Sequence, residues 1–265
     1  MAVNRAALHY PGEQAVLAGT LLLAGVILLV AAGPTFCLGP LAVGLMVALS
    51  YGMTRSHHQQ LLNDAYAVTA QSSPDLDGLV QDCRRRLDAE PVQVFAVRSR
   101  QLNAYTFGLT EPRVVVLYSA LFERMDADEL RFIIGHELGH VVLGHTWLNT
   151  LVGGMAGLPT SFGAAVLLTL ALRGWSRSCE FSADRAGLMA CGSLNKATSA
   201  LVKLVSAGRS PQEMERALRA VEAEDDSVLN VLAQALSTHP MIVKRIEQLR
   251  QFAASPEYRQ MAVGR

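Results

Sequence analysis

His136 and His140 stand four residues apart, with Glu137 beside the first of them. On a helix this spacing puts both imidazoles on one face, one turn apart. Two neutral ring nitrogens placed so can hold one Zn²⁺ at about 2.0–2.1 Å each. Glu137 falls on the adjoining surface, where its carboxylate can reach a water without binding the metal. It is therefore the expected general base for attack on a carbonyl. The five-residue pattern His136-Glu137-Leu138-Gly139-His140 also arises by chance on ordinary helices. Its setting here argues for chemistry, because its neighbours are uncharged or apolar. Two His and a Glu on an apolar stripe would be a costly core without a metal.

A catalytic zinc site takes three protein ligands and keeps one position open. Reading on from His140, the first acidic residue is Glu180 and the next is Asp184, one helical turn later. Glu180 is the expected third ligand, and Asp184 suits a position behind the metal, orienting a ligand histidine through its other ring nitrogen. The competing pattern H-E-x-x-H-x-x-G-x-x-H fails, since Leu143 and Thr146 stand where it needs Gly and His. His145 is then expected to be a helix C-terminal residue favoured by the dipole. His57 and His58 have no partner pattern and are expected on the surface.

These residues need a helix to carry them, and the sequence supplies one. Asp126 with Glu129 makes a capping-box start, and Leu130, Ile133, Ile134, Leu138, Val141 and Val142 follow at helical spacing. Further helices are expected over 73–87, 177–190, 194–206, 211–223 and 240–253, each with a start or stop signal. Val92–Val97 and Val114–Tyr118 read as strands, with Asn103–Gly108 between them as a turn or edge strand. The fold class expected is α+β, mainly helical, with a small sheet ahead of the active-site helix.

The chain has 265 residues, with 23 Lys plus Arg against 23 Asp plus Glu, so charge gives no reason to expect nucleic acid as a partner. Half of it is hydrophobic and only 17% charged, a balance that suits a chain partly in lipid. No charge occurs from Ala15 to Met53, and Gly33-Pro34 breaks the run. At about 20 residues per span, this is a transmembrane helical hairpin, with both ends in the cytoplasm according to Arg5 and Arg55. The expected organisation is a short segment over 1–14, the hairpin over 15–53, and a catalytic domain over 54–265. Residues 146–172 also lack charge. They are long enough for one crossing but too short for two, and one crossing would separate His140 from Glu180. That segment is therefore expected to dip into the membrane or pack on the anchor. Four scattered cysteines without a C-x-x-C pair read as reduced, mostly buried thiols.

The His136–His140 motif, Glu180-Phe181-Ser182-Ala183-Asp184, and a later Ser237-Thr238-His239-Pro240 with Arg245 together resemble the HtpX-like zinc metalloproteases. These are membrane gluzincins related to the CAAX prenyl endopeptidases, and the resemblance covers roughly residues 75–250. It implies a zincin-like fold with one Zn²⁺ per chain and endopeptidase activity on protein or peptide substrates, possible membrane proteins among them. It also implies that His239, supported by Arg245, stabilises developing charge or serves as an extra metal ligand in a resting state, and that Asn103 and Ala104 belong to a substrate-binding edge strand. A bacterial inner-membrane location, with the catalytic domain facing the cytoplasm, would follow. The rival expectations are a catalytically silent zinc-binding membrane scaffold or sensor and a zinc hydrolase acting on a non-peptide bond.

Overall fold

The helix that carries the two histidines spans Ala127–Val142, and both of its ends follow from the local sequence. At the start, the Asp126 carboxylate accepts from the backbone N–H groups of Asp128 and Glu129. The Glu129 side chain accepts in return from the Asp126 N–H, which closes the expected capping box. At the end, Gly144 takes a left-handed φ of +74°. The His145 N–H then reaches the His140 carbonyl, and the Gly144 N–H the Val141 carbonyl. This is a Schellman stop, and it folds residue 145 back over residue 140.

The computed structural model describes residues 4–32, 38–108, 112–147, 163–204 and 240–263. In chain order the helices are α1 (Arg5–Leu8), α2 (Glu13–Ala32), α3 (Leu38–Asn63), α4 (Pro74–Leu87), α5 (Ser119–Arg124), α6 (Ala127–Val142), α7 (Gly163–Cys191), α8 (Leu194–Leu204), α9 (Pro240–Ala253) and α10 (Pro256–Val263). The strands are β1 (Tyr66–Ala67), β2 (Val92–Val97), β3 (Ala104–Phe107) and β4 (Arg113–Tyr118). They form one sheet in the order β1-β2-β4-β3. β2 and β4 run parallel, with Val94 opposite Val115. The outer pairs are antiparallel, and Thr106 lies opposite Val115 on the other side of β4. β3 is thus an edge strand, and α6 packs beside it.

The core forms where α4, α6, α7, α8 and α9 pack around the sheet's inner face, with Phe132, Ile134, Leu138, Leu188, Leu201 and Ile246 inside. α6 and α7 cross very closely. A Cβ added at Gly139 would lie 2.7 Å from the Ala186 Cβ and 3.1 Å from the Ala183 Cα, and one at Gly135 would collide with Ala190. Small residues at these positions let α6 and α7 approach each other.

The helix expected over 240–253 is present, the one expected over 194–206 is described as far as Leu204, and the one over 177–190 is the second half of the longer α7. The expected helix over 211–223 lies outside the described residues, as does most of the 146–172 segment. α3 continues to Asn63, ten residues beyond the end expected for the hairpin, because Arg55–Asn63 keeps good helix formers without a breaker. This extension brings His58 to the sheet edge, where it stacks on Phe107 at 3.8 Å between ring centroids. His58 therefore has a partner that no local pattern announced. Cys83, Cys179 and Cys191 are buried free thiols, as expected. α2 and α3 pack on each other, and α2 packs on α7 through Leu17, Leu172 and Trp175. Among the described residues no helix is long and apolar enough to cross a membrane. Yet Leu22, Leu29 and Leu41 are each more than 70% exposed.

Candidate active site

The Nε2 atoms of His136 and His140 each lie 3.6 Å from a different oxygen of Glu180 on α7. Four bonds of about 2.0–2.2 Å to a tetrahedral zinc put neighbouring ligand atoms about 3.3–3.6 Å apart. Two imidazoles and one carboxylate at these distances fit a single divalent ion, and the three donors form a compact group. The two histidines are buried, whereas Glu180 is partly open toward the cleft.

Each histidine has its far nitrogen held. Nδ1 of His136 lies 3.0 Å from Asp184 Oδ1, the partner expected for Asp184. Arg245, on α9, clamps Asp184 from behind, donating from Nε to Oδ2 at 2.7 Å and from Nη2 to Oδ1 at 2.6 Å. Its Nη1 also lies 3.0 Å from Glu180 Oε2. Arg245 therefore reaches both carboxylates of the α7 motif, a role more specific than the charge stabilisation implied for it. His239 lies outside the described residues.

Nδ1 of His140 meets Nδ1 of His145 at 3.0 Å. His145 stands at the C-terminal turn of α6, as expected, but its side chain is buried and has a partner that no local pattern announced. The Schellman turn swings it inward, and it is 1% exposed. Its Nε2 lies 3.0 Å from Glu13 Oε1, and Glu13 also accepts hydrogen bonds from Ser182 and, at 3.1 Å, His9. Neither His145 nor Glu13 was legible as a site residue, since Glu13 lies 132 positions from its partner. The one available signal was Gly144 after an apolar helix, which marks a stop that folds the next side chain back.

Glu137 points into a cleft of about 340 Å³ that Asn103, Ala104, Thr106, Glu180 and Arg245 also line. Asn103 and Ala104 therefore stand at the site, at the start of edge strand β3. Thr106 Oγ1 donates to Glu137 Oε2 at 2.7 Å, a contact no motif indicated.

Burial and charge set the protonation of the cluster. Burial pushes the Glu137 carboxyl up, against the pull of His136 and Thr106. Burial, with His136 and the Arg245 guanidinium nearby, pushes His140 well below the usual imidazole range, which keeps its ring neutral. Burial opposes charge on His136, but Asp184 and Glu180 outweigh it and raise its pKa. Asp184 is buried, yet Arg245 and the His136 hydrogen bond hold it below the usual carboxylate range. Burial would raise Glu13 as well, but its bonds from His145, Ser182 and His9 bring it down to about 2.

A metal-sized gap between two imidazoles and a carboxylate, with a carboxyl beside it and a strand edge along the cleft, is the arrangement of a metallopeptidase. The chain belongs to Peptidase family M48, whose model matches residues 70–253. It is 28% identical to Protease HtpX of Acinetobacter baumannii, over 79% of this chain and 82% of that protein. It is 27% identical to a Protease HtpX homolog of Paenarthrobacter aurescens, over 72% and 77%. The plastoglobule-localized metallopeptidase 48 of Arabidopsis thaliana is 28% identical over 73% of this chain, and the chain spans 61% of that protein's length. The chain is thus an HtpX-like metalloprotease of mainly helical fold with a small mixed sheet.

Proposed function

We propose that this protein is a membrane-anchored zinc metalloendopeptidase, with one Zn²⁺ held by His136, His140 and Glu180. The observation that carries this reading is the convergence of both Nε2 atoms on Glu180, with Glu137 beside them in the cleft. Bound there, zinc would supply a Lewis acid that polarises a carbonyl and brings the pKa of water toward neutrality.

The chain's own residues do the rest. Thr106 holds Glu137 Oε2, which leaves Oε1 to take a proton from the attacking water. The same oxygen returns that proton to the leaving amine as the C–N bond breaks. The burial that raises Glu137 also suits it to both halves of this transfer. Arg245 supplies positive charge beside the carboxylates, and His239 is proposed to join it in stabilising the oxyanion. Among the described residues, β3 pairs only with β4, so its other edge can take an extended peptide as an added strand past Asn103 and Ala104. Protein or peptide substrates, membrane proteins among them, fit such an edge. Quality control or processing at the cytoplasmic face of a bacterial inner membrane is the setting proposed.

The test is a casein-cleavage assay with zinc analysis on wild type and Glu137→Gln. The wild type should cleave, and the variant should bind zinc equally but lose at least about 10²-fold in rate. If both proteins bind zinc and neither cleaves any peptide, the protease reading fails.

A further inference from the structure

The proposed zinc site explains Asp184 and Arg245 but leaves a buried polar chain on the His140 side without a role. His145, Glu13 and Ser182 are all buried, they come from three separate segments, and they lie end to end behind a proposed ligand. Two ring nitrogens 3.0 Å apart share a single proton. If His140 offers Nε2 toward Glu180, its Nδ1 must carry that proton. His145 Nδ1 is then the acceptor, and a neutral His145 has its proton on Nε2, the atom facing Glu13 Oε1 at 3.0 Å. The Glu13 carboxylate is fixed in turn by Ser182 and by His9. The backbone N–H of Tyr10 donates to Ser182 Oγ at 2.6 Å, and Arg185 on α7 donates to the carbonyls of Ala7 and His9. The N-terminal segment is therefore stitched to the same helix that carries Glu180.

We propose that His145 and Glu13 form a positioning relay that fixes the tautomer and ring orientation of His140, as Asp184 does for His136, so that the N-terminal segment completes the metal site. The inference rests on the zinc reading above. His9, Glu13 and His145 could in principle ligate a second ion, since their donor atoms lie close together. However, both ring nitrogens address the same Glu13 oxygen, at 3.0 and 3.1 Å, which is the geometry of two donors on one carboxylate.

The experiment measures zinc affinity by chelator competition on the full chain, for wild type, His145→Ala, Glu13→Ala, the double variant and Glu13→Gln. Thermal unfolding of the metal-free proteins is recorded alongside. His145→Ala and Glu13→Ala should each weaken zinc binding about 10- to 100-fold. The double variant should be no worse than the weaker single, because both remove one connected chain. Glu13→Gln keeps an oxygen that accepts from His145 and should recover part of the loss, and it serves where an alanine variant does not fold. The Co²⁺ absorption spectrum should change in the same order. Folded variants with wild-type zinc affinity, or losses that simply add, would overturn the relay while leaving the zinc reading intact. A second zinc equivalent in wild type that the variants lose would also overturn it. Wild type that takes up no zinc would instead sink the reading on which the relay rests.

Discussion

Arg245 bonds both oxygens of Asp184 and also lies against Glu180, so one planar fork fixes two carboxylates of the site. A lysine there keeps the charge but cannot match two oxygens at once. Arg245→Lys should therefore lower zinc affinity by about 10-fold or more in chelator competition, with a smaller change in thermal unfolding. Arg245→Ala leaves Asp184 buried without its cation, and should cost about 3–5 kcal/mol of stability as well. Equal zinc binding in wild type and Arg245→Lys would show that a point charge suffices. At this scale the sequence spoke clearly where chemistry is local. His136, Glu137 and His140 announce themselves by spacing, and Glu180 by a long stretch without another acid. Thr106, His145 and Glu13 were silent, because a threonine on a strand or a glutamate before an apolar run has many ordinary explanations. Only the fold shows what they touch.

Helix α6 is defined by its caps and by its closeness to α7, and each can be tested. Alanine is a better helix former than glycine by about 1 kcal/mol, so Gly139→Ala would stabilise an isolated helix. Here the new Cβ would meet Ala186 and the Ala183 backbone, neither of which can swing away. The expected sign is therefore reversed, with a net loss of about 1–3 kcal/mol. Zinc affinity should fall too, since spreading α6 from α7 draws Glu180 away from the histidines. A rise in melting temperature with zinc binding unchanged would refute the tight crossing. At the N-cap, slight burial would raise the Asp126 carboxyl, but Lys196 at 2.6 Å and two backbone N–H groups hold it below the usual carboxylate range. A depressed folded pKa gives stability that is present above the unfolded value and lost as pH falls. Asn keeps the cap without the charge. The gap in melting temperature between wild type and Asp126→Asn should be visible at pH 6 and close toward pH 3. The corresponding difference in stability should remain below about 1 kcal/mol, because the pair is half-exposed. The capping box, strands β2 and β4 and the helix over 240–253 were legible because their signals are local, whereas the two-residue β1 was too short to show a pattern. The extension of α3 to Asn63 was not, since polar helix formers read equally well as a solvated loop.

Over the whole molecule, the apolar outer faces of α2 and α3 have no partner among the described residues that would explain them. Leu22 and Leu29 on α2 and Leu41 on α3 are over 70% exposed, in a stretch where Ala15 to Met53 has no charge. Exposed patches of this kind mark contact with lipid or another protein. Lipid is the occupant proposed here, so the protein should remain with membranes after carbonate extraction. Leu22→Lys with Leu29→Lys should weaken that retention, since a charged side chain is costly to place in hydrocarbon. The site adds a constraint on topology. His140 and Glu180 face each other at 3.6 Å, so the chain between them must return to the side it left. Trp147→Cys and Arg173→Cys stand at exposed positions at the two ends of the uncharged segment. In sealed vesicles both should react with an impermeant thiol reagent from the same side. Burial pushes the native Cys83 thiol up to about 12 and that of Cys191 up to about 11, so both should give little background. Labelling from opposite sides would mean that the intervening chain crosses the bilayer. A site that needs His140 and Glu180 together could not then form.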